Sequence, residues 1–160
     1  TLDVDVVVSD PFLDEEEAVA LGVGLLELEE LLSTSDVVSL HAPLLDSTRR
    51  MVGADQLARM PDGAWLLNTA RGGLVDTEAL TAEVATGRLR AFLDTPDPEP
   101  LPPDSSLYDL EGAVLTPHIA GSLGSEVSRM GDLAVTEVER FMAGEPPLHP
   151  VVRSDLDHIA

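Results

Sequence analysis

Apolar positions in this chain collect into short runs, and each run stops at a group that can hydrogen-bond or titrate. Val4-Asp5-Val6-Val7-Val8-Ser9 runs into Asp10, and Asp36-Val37-Val38-Ser39-Leu40 into His41. Ala64-Trp65-Leu66-Leu67-Asn68 leads through Thr69 and Ala70 to Arg71. Leu89-Arg90-Ala91-Phe92-Leu93 runs into Asp94, and Ala113-Val114-Leu115-Thr116-Pro117 into His118. Runs of this length, rich in Val and Leu, predict buried parallel strands. Leu21 to Leu26 predicts a further short strand. Between the runs, helical patterns cover residues 14–20, 27–32, 55–60 and 77–86, and a longer one covers 122–143. In that last segment Val127, Met130, Ala134, Val138 and Phe141 recur at helical spacing, and Gly144 closes it. The expected fold is α/β: a Rossmann-like parallel sheet with helices on both faces. The five run endings then share one polar rim, and in such sheets ligands bind outside the carboxyl ends of the strands.

Two stretches refine this picture. Gly22 and Gly24 have the spacing of the first two glycines of a dinucleotide-binding turn, but the third position is Glu27. A carboxylate there would repel a pyrophosphate, so the match is rejected. The segment Thr95 to Pro103 holds five prolines in nine residues, which excludes helix and central strand. It predicts a stiff, extended loop that holds Glu99 in a fixed place.

Composition narrows the chemistry. The length of 160 residues fits one domain, and aromatic residues make up only 3%, so the core must be aliphatic. A formal charge of −21 repels nucleic acid and anionic membranes, and neither is an expected partner. All nine basic residues are Arg, which excludes a Schiff-base or P-loop lysine. The chain has no Cys, so disulfides, thiolate metal sites and a cysteine nucleophile are excluded, and a cytoplasmic location is expected. No metal-ligand set is read from the sequence. No apolar run reaches membrane-spanning length.

Arg71, Asp94, Glu99 and His118 are the candidates for chemistry. An arginine fork grips a carboxylate or phosphate through two parallel hydrogen bonds. A histidine gives or takes a proton near neutral pH, and a carboxylate beside it favours the imidazolium and fixes its tautomer. Reduction of a 2-oxo acid needs these parts: a carboxylate clamp, a proton donor for the carbonyl oxygen, and a hydride from a cofactor. Asp10, after an early strand, matches the acidic residue that hydrogen-bonds ribose hydroxyls and disfavours a 2′-phosphate.

The motifs that carry these residues resemble a known family. Ser39-Leu40-His41-Ala42-Pro43-Leu44, Asn68 to Asp76, Asp94 with Glu99-Pro100 five residues on, and Thr116-Pro117-His118-Ile119-Ala120-Gly121 are similar to the D-isomer-specific 2-hydroxyacid dehydrogenases. The resemblance covers about residues 4–152. It implies that Arg71 binds the substrate carboxylate, that His118 is the proton donor and that Glu99 is its partner. It implies NAD as cofactor, with contacts at Asp10, Ala42, Thr69, Ala70, Arg71, Asp94, His118, Ile119, Ala120 and Gly121. Asp94 would hold the nicotinamide carboxamide. The implied reaction is hydride transfer between NAD(H) and a small 2-hydroxy or 2-oxo acid, such as glyoxylate or hydroxypyruvate, in a homodimer. An amide would stand at Glu99 in the formate dehydrogenase branch. An NAD-sensing corepressor on the same scaffold is the alternative function, and an inactive fragment is the third reading.

The sequence departs from the family pattern in two places. Thr95-Pro96 follows Asp94 where the family has Val-Phe. A substrate-domain segment, a strand and its glycine-rich turn precede the Asp10 strand in the family, and here they are absent. The expected layout is therefore a partial NAD-binding domain over residues 1–144 and a tail over 145–160 leading toward a substrate domain. The missing strand belongs between those ending at Asp10 and His41. Residues 1–160 alone are expected to bind NADH very weakly, to turn over no substrate and to be unstable or self-associating. His149 and His158 in the tail are read as exposed and silent.

Overall fold

The computed structural model describes residues 3–153. His158 and the end of the tail lie outside them. Among the described residues six strands and five α-helices follow in the order β1 (Val7–Val8), α1 (Glu15–Leu21), β2 (Gly24–Leu25), α2 (Leu28–Thr34), β3 (Val37–Leu40), α3 (Ala54–Leu57), β4 (Trp65–Asn68), α4 (Thr77–Ala85), β5 (Arg90–Leu93), β6 (Ala113–Leu115) and α5 (Ser125–Ala143). Single 3-10 turns at Gly72–Leu74 and Ser106–Tyr108 were not expected from the sequence. All strand pairs are parallel, which gives the Rossmann-like α/β architecture.

The strands form two sheets, β1-β2 and β3-β4-β5-β6. Within the larger sheet the order follows the sequence. Helices α3 and α4 connect its strands, and α2 leads into β3. Leu32 of α2, Leu57 of α3 and Leu80 and Val84 of α4 share one buried cluster with Val38, Leu40, Leu66, Ala91 and Leu93. Burial in β3 alternates accordingly, with Val38 buried and Val37 56% exposed. The apolar runs predicted strands buried on both faces, and this alternation corrects that expectation for β3. On the opposite face of the sheet the Arg90 guanidinium lies 5.6 Å from the ring centre of its strand neighbour Trp65.

Local chemistry sets the element ends. Asp14 caps α1 in a capping box: its Oδ1 accepts the Glu17 amide at 2.8 Å, and the Glu17 carboxylate accepts the Asp14 amide at 3.3 Å. Gly22 closes the same helix at φ 73°, and Gly24 lies in β2, so the two glycines are a helix cap and a strand residue. Arg88 joins two helices. Its Nη atoms donate to the Leu57 and Met60 carbonyls at 2.6 and 2.7 Å, and its Nε donates to Glu83 at 2.6 Å. The Glu83 contact raises the guanidinium pKa further.

Helix α5 forms as predicted, but no residue of it is buried. Met130 is 59% exposed and Phe141 84%. Periodicity identified the apolar face correctly and said nothing about what covers it. Among the described residues no helix is long and apolar enough to cross a membrane.

Candidate active site

Register aligns the strand ends. Leu40 pairs with Asn68, Asn68 with Leu93, and Leu93 with Leu115. The residues that follow these four positions therefore leave the sheet along one line. That line carries His41 and Ala42, Thr69 to Arg71, Asp94, and Thr116 to His118. The polar rim expected from the sequence exists for four of the five runs. Asp10 stands apart, after β1 in the two-stranded sheet, where its Oδ1 accepts the Phe12 amide at 2.9 Å.

The turn after β4 is held by Asn68, which is buried. Its Oδ1 accepts the Ala70 amide at 3.1 Å, and its Nδ2 donates to the Arg71 carbonyl at 2.8 Å. The side chain thus closes the three-residue turn that presents Arg71. Sequence reasoning gave Asn68 no role; the only local signal is an asparagine where an apolar run ends, a residue that favours turns. The Arg71 side chain is exposed and donates through Nη1 to the Ala70 carbonyl at 2.7 Å. Ala42, Ala70 and Arg71 line a hollow of about 350 Å³ together with His41 and Pro43. Thr69 is half-buried at the head of the same turn. The His41 ring meets the Ser39 hydroxyl at 2.9 Å.

Asp94 is the most constrained charge in the site. It is 1% exposed, yet every oxygen has donors. Oδ1 accepts from the Thr116 hydroxyl and from the Ile119 amide at 2.8 Å, and Oδ2 accepts from the Ala120 amide at 2.8 Å. Burial alone pushes the carboxyl pKa up. The Thr116, Ile119 and Ala120 donors outweigh it, aided by the His118 charge, and hold the pKa below the ordinary carboxylate value. The Asp94 carbonyl also accepts the His118 amide at 3.1 Å. These contacts fix a turn in which His118 takes φ 54°, a left-handed conformation uncommon outside glycine.

The proline-rich loop returns Glu99 to this turn. Its Oε1 lies 2.7 Å from His118 Nδ1, and the two side chains are 45% and 48% exposed. The structure thus brings Glu99 to His118, and it brings Asp94 to Ile119, Ala120 and the His118 backbone. Gly121 is exposed, and nothing lies within 4 Å of where a Cβ would sit. A larger hollow of about 570 Å³ on the flank of α4, lined by Arg50, Asp76, Thr77 and Asp97 among others, contains none of the candidate residues.

The smaller hollow suits a nicotinamide ring: the small side chains of Ala42 and Ala70 leave room for it beside Arg71. Asp94, enclosed by its turn, lies outside the lining of that hollow. The sequence profile of the D-isomer specific 2-hydroxyacid dehydrogenase NAD-binding domain matches residues 1–120. The chain belongs to that family. It is 44% identical over 128 residues to the glyoxylate reductase of Korarchaeum cryptofilum, covering 79% of this chain and 39% of that protein. The TT0316 protein of Thermus thermophilus superposes with a TM-score of 0.82 at 45% identity, over 92% of this chain and 46% of that one. The NAD-complexed D-isomer specific 2-hydroxyacid dehydrogenase of Lactobacillus delbrueckii ssp. bulgaricus superposes with a TM-score of 0.83 at 30% identity, over 92% and 48%. The chain thus spans less than half the length of these relatives.

Proposed function

We propose that the whole protein is an oxidoreductase that transfers a hydride between NAD(H) and a small 2-hydroxy or 2-oxo acid of the glyoxylate or hydroxypyruvate class. The observation that carries this reading is the 2.7 Å contact between Glu99 and His118 Nδ1, on the rim that also bears Arg71. NADH, when bound, supplies the hydride to the carbonyl carbon. Arg71 grips the substrate carboxylate with its fork. His118 gives a proton from Nε2 to the carbonyl oxygen, so that the carbonyl becomes a hydroxyl. Glu99 accepts from Nδ1 and so fixes the ring's orientation. Asp94 holds the His118 turn and is the acceptor assigned to the carboxamide. Ala42, Thr69, Ala70, Ile119, Ala120 and Gly121 line the nicotinamide end, and Asp10 holds the ribose.

In this reading residues 1–144 form the NAD-binding unit and 145–160 lead toward the substrate domain. The protein acts in the cytoplasm as a homodimer, with no nucleic-acid or membrane partner. The absence of Cys and the net charge of −21 support the location and the lack of polyanionic partners. The exposed apolar positions of α5 support association between copies.

The test is NADH oxidation by the whole protein with glyoxylate and hydroxypyruvate. An ammonium lacks the paired geometry of the fork. Arg71→Lys is therefore expected to lose at least about tenfold in kcat/KM with NADH affinity retained. A loss under about threefold would exclude Arg71 as the clamp. Coenzyme choice gives a separate check on Asp10. The parent is expected to prefer NADH to NADPH in kcat/KM, and Asp10→Ala to narrow the ratio, because the carboxylate repels a 2′-phosphate. A parent that prefers NADPH would remove Asp10 from the ribose site.

A further inference from the structure

The contact between Glu99 and His118 is half-exposed, and pairs of that kind are worth only about 0–1 kcal/mol on their own. Such a pair cannot position the long Glu99 side chain unaided, so its geometry must come from the loop. The loop is seated two residues earlier. The Thr77 hydroxyl donates to the Asp97 carbonyl at 2.7 Å. Beside it, the Pro96–Asp97 backbone rests on Gly72 so closely that a Cβ there would lie 2.2 Å from the Pro96 carbonyl oxygen. From Pro96 to Pro100 every second residue is proline, and each proline ring fixes its own φ. Only Asp97 and Glu99 keep a free φ in that span, so few torsions stand between the Asp97 seat and Glu99 to absorb a displacement.

Thr77 is not needed as the cap of α4. Asp76 performs that task, accepting the Ala79 amide at 3.1 Å. Other helix threonines turn their hydroxyls back onto their own helix, as Thr81 does to the Thr77 carbonyl and Thr136 to the Asp132 carbonyl. Thr77 instead reaches across 20 positions of sequence to the loop that carries Glu99.

We propose that Thr77 is a positioning residue of the reaction, which acts through the Asp97 carbonyl to set Glu99 against His118. The proposal rests on the function assigned above, and two measurements separate its failure from the failure of that assignment. The first is a double-mutant cycle in the whole protein. Thr77→Val is expected to lower kcat for glyoxylate reduction about fivefold, the worth of one lost hydrogen bond, with the KM for NADH unchanged. Thr77→Ser is expected to restore it. In a Glu99→Gln background Thr77→Val should cost less than about 1.5-fold, because the group it positions has gone. Equal losses in both backgrounds would overturn the proposal. The second is the His118 ring signal in histidine-¹⁵N-labelled protein, assigned with His118→Gln. Thr77→Val and Glu99→Gln should move it in the same direction, and Thr77→Ser should return it. A signal unmoved by Thr77→Val overturns the proposal whether or not the protein turns over substrate. A parent that lacks turnover but shows the signal response overturns the assigned reaction alone. Thr77→Ala, which also removes the hydroxyl, replaces Thr77→Val should that variant fail to fold.

Discussion

Replacing His118 with Gln is expected to lower 2-oxo acid reduction by about 10²- to 10⁴-fold, the usual contribution of a placed general acid, while NADH binding survives. Glutamine can hydrogen-bond to a carbonyl oxygen but cannot give it a proton at neutral pH. The loss should be chemical rather than structural, because the turn is anchored through its backbone. The His118 amide donates to the Asp94 carbonyl at 3.1 Å, and the Ile119 and Ala120 amides donate to the Asp94 carboxylate at 2.8 Å. None of these bonds uses the imidazole. The anchor also stays charged over the working range. A carboxyl with a depressed pKa contributes stability that is present above its unfolded value of about 3.9 and is lost as pH falls through the lower folded value. The turn therefore keeps its anchor at neutral and alkaline pH. Single-turnover reduction and NADH calorimetry on parent and variant make the measurement. A variant within about tenfold of the parent would assign the proton to another group.

What the sequence could and could not say follows from range. Strand and helix ends are local, and the start of the first helical pattern at Asp14, or Gly144 after α5, were readable from neighbours in the chain. Arg71, Asp94 and His118 were readable as polar groups that end apolar runs. Their alignment depends on register, which pairs Leu40, Asn68, Leu93 and Leu115 across four strands, and no single run encodes it. The proline-rich loop marked Glu99 as held in place, but its pairing with His118 came from a family motif, since nothing local says what the loop sets it against. Asn68 was visible only as part of that motif, because its role is to hydrogen-bond backbone two and three residues ahead in a turn whose shape was unknown. The helical spacing of Val127, Met130, Val138 and Phe141 gave the apolar face of α5, and the structure leaves that face open. The seat of Glu99 was the least legible feature. It joins Gly72 and Thr77 to Pro96 and Asp97 across 20 or more positions, and a glycine needed for close approach looks in sequence like any turn glycine.

That glycine carries the second large effect. Gly72→Ala would place a Cβ 2.2 Å from the Pro96 oxygen, 2.3 Å from the Pro96 carbonyl carbon and 2.7 Å from the Asp97 nitrogen. All three are backbone atoms, so no side-chain rotation relieves the clash, and one of the two chain segments must move. The Arg71 turn is tied on its far side. Asn68 holds the Arg71 carbonyl at 2.8 Å, the Arg50 amide donates to the Gly73 carbonyl at 2.8 Å, and the Val52 amide donates to the Leu74 carbonyl at 3.1 Å. The exposed loop is the segment that gives way, and it carries Glu99 from His118. Misplacement of reacting groups by about 1 Å costs on the order of 100-fold. We therefore expect Gly72→Ala to lose about 100-fold in kcat/KM, with more of the loss in kcat than in KM. Gly73→Ala is the internal control. Its Cβ would meet the ends of the Leu44 side chain at 3.0 and 3.1 Å, atoms that can rotate aside, and its loss should stay within about tenfold. Steady-state kinetics on the two variants, with thermal unfolding to confirm that both fold, decides the matter. If Gly73→Ala proves the more damaging, or Gly72→Ala stays within tenfold of the parent, the Arg71 turn and the Glu99 loop do not form the single seat described here.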